Sequence, residues 1–175
     1  MIIIGLTGYA QSGKDTAAKI LVDNYGFTKV AFADKIREFL YNINPMIGGE
    51  PLQIKVDVEG WEKAKQHSEV RRLLQVTGVS ARKLFGSEFW INQTLRHFAT
   101  SSNVVISDVR FTNEANWLKT NGGQIWRIQR VGVEAVNGHV SETELDDYPV
   151  DQTFANNGSL EDLELLIKTR IQGML

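Results

Sequence analysis

Residues 1–16 read Met1-Ile2-Ile3-Ile4-Gly5-Leu6-Thr7-Gly8-Tyr9-Ala10-Gln11-Ser12-Gly13-Lys14-Asp15-Thr16. The apolar run from Met1 to Leu6, bounded by glycine, fits a short strand buried on both faces of a parallel sheet. After it, Gly8 to Lys14 match the G-x-x-x-x-G-K pattern, and Ala17, Ile20, Leu21 and Tyr25 then fall at helical spacing until Gly26 supplies a stop. Strand, glycine loop and helix in that order form a cradle for phosphate. The glycines let backbone N–H groups turn inward, the helix N-terminus adds positive potential, and Lys14 can reach the outer phosphates. Gly8, Ala10, Gln11, Ser12, Gly13, Lys14, Asp15 and Thr16 are therefore the candidate ATP-binding residues. An exposed helix dipole is worth only about 0.3–1 kcal/mol, so charge-assisted hydrogen bonds of about 1.5–3 kcal/mol each must dominate affinity. The alternative reading of the same residues is an ordinary glycine-rich turn. One position departs from the pattern, because Asp15 stands where Ser or Thr commonly holds Mg²⁺. Either Asp15 serves the metal, or Thr16 does, or Asp15 only solvates the helix start.

Working outward, Lys29–Ala33 reads as a second strand, with Asp34 capping a helix whose Ile36, Phe39, Leu40 and Ile43 form one stripe up to Pro45. Residues 44–67 break this rhythm: Leu52, Ile54, Val56 and Val58 alternate with polar residues, which predicts an extended lobe. Helices follow over Ser68–Thr77 and Ser87–Ala99, then a buried strand of Val104, Val105 and Ile106, a helix over Thr112–Thr120 and a strand over Gln124–Gln129. Residues 131–150 form a polar excursion, Asp151–Ala155 a last short strand, and Ser159 opens a capped helix with apolar Leu160, Leu163, Ile167 and Ile171. Alternating strands and helices predict one α/β domain over 1–175, a three-layer α/β/α fold on a mostly parallel five-stranded sheet, with ligands at the strands' carboxyl ends. The excursions are where such a fold grows lobes and lids.

Composition bounds the chemistry. The 175 residues are 42% hydrophobic and 23% charged, with a formal charge of -2 that leaves no footprint for nonspecific nucleic-acid binding. There are no cysteines, which excludes disulfide scaffolds, zinc fingers and thiol catalysis, and His67, His97 and His139 are too scattered for a histidine-rich metal site. No run approaches membrane-spanning length, so the chain reads as a cytoplasmic protein without membrane or nucleic-acid partners. Nothing in the pattern fixes the oligomeric state, and a homodimer stays open.

The second signal is Val104-Val105-Ile106-Ser107-Asp108-Val109-Arg110. An acid at the carboxyl end of a buried strand beside the first one is where a carboxylate approaches Mg²⁺ or a reacting phosphate, and Arg110 can neutralise phosphate. The structural alternatives are a strand-ending turn and a surface ion pair.

With this loop, the segments Phe32-Ala33-Asp34-Lys35-Ile36-Arg37, Leu74-Gln75-Val76-Thr77-Gly78 with Arg82, Ser107 to Glu114, and His139-Val140-Ser141-Glu142 resemble, in order and spacing, bacteriophage deoxynucleoside monophosphate kinases. The resemblance spans nearly the whole chain and implies a nucleoside-monophosphate-kinase-like fold that moves the γ-phosphoryl of ATP, with Mg²⁺, onto a deoxynucleoside monophosphate. It implies an acceptor lobe over about 34–100 and a lid over about 130–150. Lys14, Asp108, Arg110 and Arg130 would then be catalytic, and Asp15, Thr16 and Asp108 would organise the metal. Arg127 and Asn157 would join the ATP site, and Asp34, Lys35, Arg37, Gln75, Arg82, Trp90 and Glu142 would bind the acceptor. Val79, Ser80 and Val140 depart from the family pattern. Rival expectations are another small-molecule kinase, of the phosphomevalonate or dephospho-coenzyme A type, and a nucleotide-binding regulatory module.

Overall fold

The computed structural model describes residues 1–95, 103–135 and 143–174. The chain packs as two units, one made of residues 1–31 and 98–175 and the other of residues 32–97.

The first unit is built on a five-stranded sheet in the order β2-β5-β1-β6-β7, from Ile3–Thr7 (β1), Thr28–Val30 (β2), Val104–Ile106 (β5), Gln124–Gln129 (β6) and Gln152–Ala155 (β7). Every pairing in it is parallel, with Gly5 opposite both Ile106 and Ile125. Strand side chains alternate between faces, and the two faces take different helices. On one face, Ile4, Leu6, Trp126 and Ile128 join Ala17, Ala18 and Leu21 of helix α1 (Lys14–Tyr25) and Leu163, Ile167 and Ile171 of helix α8 (Leu160–Gln172) in one core. The other face takes helix α7 (Thr112–Thr120) so closely that a Cβ at Gly5 would lie 2.6 Å from Leu118 Cδ1 and 2.8 Å from Val109 Cγ2. The result is the three-layer arrangement that the sequence predicts. The sheet reverses direction of growth at β1, and the glycine loop sits at that point.

The second unit is helical apart from a hairpin of Met46–Ile47 (β3) and Glu50–Pro51 (β4) turned by Gly48 and Gly49. Its helices are Phe32–Ile43 (α2), Leu52–Glu59 (α3), Trp61–Ala64 (α4), Ser68–Phe85 (α5) and Phe89–Leu95 (α6). Leu40, Ile47, Leu52, Val56, Ala64 and Val70 make its core.

Several expectations are corrected here. Residues 52–59 are helical, not extended: Leu52 and Val56, one turn apart, are buried, while Ile54 and Val58 are 48% and 81% exposed. A period of two and a period near four both fit four such residues, and burial on one side selects the helix. The second strand stops at Val30 and α2 begins at Phe32, so Asp34 lies in its first turn instead of capping it. Phe39 and Ile43 of the expected stripe are exposed. The 68–77 helix runs on to Phe85, past a buried Gly78. Leu160 at the start of α8 is exposed, its cap being Ser159, whose hydroxyl oxygen accepts from the Asp162 N–H at 3.2 Å.

Candidate active site

The loop after β1 is shaped by three residues with positive φ. Gly8 and Gly13 hold φ of 131° and 107°, and Gln11 holds 66°. A Cβ at Gly8 would strike the carbonyl oxygen of Ile128, and one at Gly13 would strike the side-chain nitrogen of Asn156. The Asn156 amide donates to the Ser12 carbonyl at 2.9 Å. Lys14 folds back over the loop, its ammonium donating to the Gly8 and Tyr9 carbonyls at 2.6 Å each. Ser12 is only 1% exposed, and its hydroxyl has no hydrogen-bond partner among the described residues. A buried hydroxyl left in that state costs free energy unless something else satisfies it.

A cleft of about 360 Å³ opens over this loop. Thr7, Gly8, Tyr9 and Ser12 line it together with Arg110, Arg127, Arg130 and Asp146. Three guanidinium groups against one carboxylate make the cleft basic within a chain of net charge -2. The arginines are held differently. Arg110 follows β5, where its backbone N–H and that of Phe111 donate to the buried Glu114 carboxylate at 2.9 and 3.1 Å, fixing the chain's entry into α7. Arg127 on β6 donates to the carbonyls of Leu145 and Tyr148, which pins the returning end of the excursion to the sheet. Arg130 is exposed just past β6. Tyr9 and Asp146 meet across the cleft, the phenol donating at 2.9 Å, and that bond, with burial second, holds the Tyr9 hydroxyl above its ordinary pKa.

The candidate metal residues follow the loop and β5. Asp108 is half-buried just past β5, and Thr16 is exposed in the first turn of α1. Asp15, 81% exposed at its side chain, accepts from Lys29 at 2.6 Å. Among the described residues no group of three or more His, Asp or Glu side chains is placed to hold a metal ion by itself. Asn157 accepts from the Val131 N–H at 2.8 Å.

A deoxynucleotide monophosphate kinase family model matches residues 52–167, more than half of the chain. The chain belongs to the deoxynucleotide monophosphate kinase family. A relative in Acanthamoeba polyphaga mimivirus, named "Putative deoxynucleotide monophosphate kinase", is 31% identical over 93% of this chain and 92% of its own. The crystal structure of shikimate kinase from Aquifex aeolicus superposes with a TM-score of 0.50 at 13% identity, over 98% of this chain and 97% of that one. That likeness establishes the fold. As a deoxynucleotide monophosphate kinase family member with this fold and this loop, the chain is a small-molecule phosphotransferase of the nucleotide-binding P-loop class. No helix among the described residues is long and apolar enough to cross a membrane.

Of the expected acceptor residues, Asp34, Lys35, Arg37, Gln75, Arg82 and Trp90 lie in the second unit. Asp34 and Arg37 pair at 3.2 Å, Lys35 pairs with Glu38 at 2.6 Å, and Gln75 and Arg82 are half-buried on α5. Trp90 is 4% exposed, its indole N–H donating to the Gly78 carbonyl at 2.9 Å and its ring meeting Phe89 edge-on at 4.9 Å. Glu142, with His97 and His139, lies outside the described residues. Tyr9 and Asp146 were absent from the expected site, and Asn156 entered it only within the stretch Asn156-Asn157-Gly158, which reads equally as an adenine-side loop and as a helix cap. The Asn156–Ser12 contact joins residues 144 positions apart, and only the Asn-Asn-Gly signal after the last strand hints at it.

Proposed function

We propose that the chain transfers the γ-phosphoryl group of ATP to a deoxynucleoside monophosphate, giving ADP and the deoxynucleoside diphosphate. The observation that carries this reading is the loop with its buried Ser12 hydroxyl, which has no hydrogen-bond partner among the described residues, opening on a cleft that Arg110 and Arg130 also line. Phosphate oxygens fit each of these groups: the hydroxyl gains an acceptor, the glycine cradle leaves space for anionic oxygens, and the guanidinium forks offer permanent charge. Lys14 would exchange the Gly8 and Tyr9 carbonyls for phosphate, keeping its charge satisfied in both states. The chemistry that Mg²⁺ would supply when bound is neutralisation of phosphate charge. Thr16 and Asp108 suit its shell, and Asp15 would have to leave Lys29 to join it. The chain's own task is then positioning and charge neutralisation, with Arg130 on the transferring group and residues 131–150 excluding water.

Family membership supports a deoxynucleoside monophosphate as acceptor, and in this reading Asp34, Lys35, Arg37, Gln75 and Arg82 bind it. In this reading the product feeds phage DNA synthesis in the host cytoplasm. The experiment is ADP release from MgATP with dGMP, dTMP, dCMP and dAMP offered separately, beside the ribonucleotides and a no-acceptor control. Stimulation by a deoxy acceptor is expected. Lys14→Ala should lower that rate by roughly two or more orders of magnitude while the circular dichroism spectrum stays native. Acceptor-independent hydrolysis alone, or a Lys14→Ala chain as fast as the parent, rejects the reading.

A further inference from the structure

The two asparagines after β7 hold three separate pieces of chain. The Asn156 backbone N–H donates to the Gln129 carbonyl at 2.7 Å, and the Asn157 side-chain oxygen accepts from the Val131 N–H at 2.8 Å. Arg130 stands between Gln129 and Val131, so both peptide groups flanking it are fixed by this one dipeptide. The Asn156 side chain meanwhile donates to the Ser12 carbonyl inside the phosphate loop. That contact is intimate, since the amide occupies the space a Cβ on Gly13 would need.

We infer that Asn156 and Asn157 are positioning residues that set Arg130 in register with the phosphate loop. The inference rests on the loop being the ATP-phosphate site. Phosphoryl transfer gains most from groups aligned before the reaction, and a misplacement near 1 Å costs about a hundredfold in rate. A rigid dipeptide bonded to both halves of such a site supplies that alignment without touching substrate. Partner chemistry also fixes how each amide is turned. A carbonyl faces Asn156, so its NH₂ must point there; an N–H faces Asn157, so its oxygen must. Aspartate, similar in shape but without a donor, therefore separates the two roles. It can replace Asn157 and cannot replace Asn156.

The test uses the full chain and compares Asn156→Ala, Asn156→Asp, Asn157→Ala and Asn157→Asp. ADP affinity comes from calorimetry, Val131 amide exchange from NMR, and kcat and the ATP KM from the acceptor assay. Both Asn156 variants should weaken ADP binding by about tenfold, the scale of one lost charge-free hydrogen bond and a loosened loop. Asn157→Ala should speed exchange of the Val131 amide and lower kcat by about tenfold or more, with a smaller change in the ATP KM. Asn157→Asp should restore both. If Asn156→Ala destabilises the whole chain, the isosteric Asn156→Asp still decides the point. Full ADP affinity in Asn156→Asp, or unchanged Val131 exchange in Asn157→Ala, overturns the inference. So does a loss in Asn157→Ala confined to the ATP KM, which makes Asn157 a direct nucleotide contact. A wild-type chain that phosphorylates no nucleoside monophosphate overturns the acceptor assignment alone, because the ADP and exchange readouts use no acceptor.

Discussion

A methyl group at Gly13 meets two obstacles at once: a left-handed backbone with φ of 107°, and the Asn156 amide in the space it would fill. Gly13→Ala is therefore expected to lower unfolding stability by about 1–3 kcal/mol in urea titration. Its ADP affinity should fall by about tenfold or more, since the loop has to shift to admit the methyl. An alanine variant that binds ADP normally would remove the close loop-to-Asn156 contact from the account. Trp90 raises the opposite question, because an aromatic within the proposed acceptor lobe invites a stacking role. Its burial and its bond to the Gly78 carbonyl argue for packing within the helical unit. Trp90→Phe keeps the ring and removes the donor, so a stability loss of about 1–3 kcal/mol is expected with the acceptor KM unchanged. A raised acceptor KM at native stability would instead place Trp90 against the base.

Among the elements, β7 is an outer strand of the sheet, and Asp151 just before it does the fastening. Its carboxylate accepts from the Ile125 N–H at 2.7 Å and pairs with Lys119 at the end of α7, so one residue ties β6, β7 and α7 together. Partial burial pushes its pKa up, but the Lys119 bond, the Ile125 N–H and the charges of Lys119 and Arg170 outweigh that and hold it below the ordinary value. A carboxyl lowered in the folded state contributes stability above its unfolded pKa, about 3.9, and loses it as pH falls through the folded value. Asp151→Asn should thus melt below wild type at pH 7, with the gap closing on acidification below about pH 4. A gap independent of pH would make the loss one of packing alone. Much at this scale was legible in the sequence. Thr112–Thr120 and Gln124–Gln129 have the bounds their periodicity predicts, and the Ser159 cap is where its spacing puts it. The helix at 52–59 was not legible, because alternation over so few residues satisfies two periods and only packing against Leu40 and Val70 decides between them. For the same reason the phosphate loop could be read from local pattern, whereas Tyr9–Asp146 and Ser12–Asn156 join residues 137 and 144 apart and carry no local signature.

For the whole molecule, the two units divide the expected ligands: the loop and the basic cleft belong to residues 1–31 with 98–175, while Arg37, Gln75 and Arg82 belong to 32–97. Each unit has its own core, around Leu6, Leu21 and Ile128 in one and around Leu40, Leu52 and Val70 in the other. Units with separate cores can open separately, and a ligand protects only the openings that destroy its site. ADP at about a hundred times its Kd adds about 2.7 kcal/mol against such openings, which slows exchange of the affected amides by about a hundredfold. Hydrogen exchange with ADP should therefore slow the amides of β1, the loop, β6 and β7 and leave α3 and α5 unchanged. A deoxynucleoside monophosphate that serves as acceptor should slow amides of α2 and α5 instead. Protection spread evenly over both units by ADP alone would mean that they open as one body. Protection of β1 and the loop by the monophosphate, with α2 and α5 unaffected, would move the acceptor out of the helical unit and take Arg37, Gln75 and Arg82 with it.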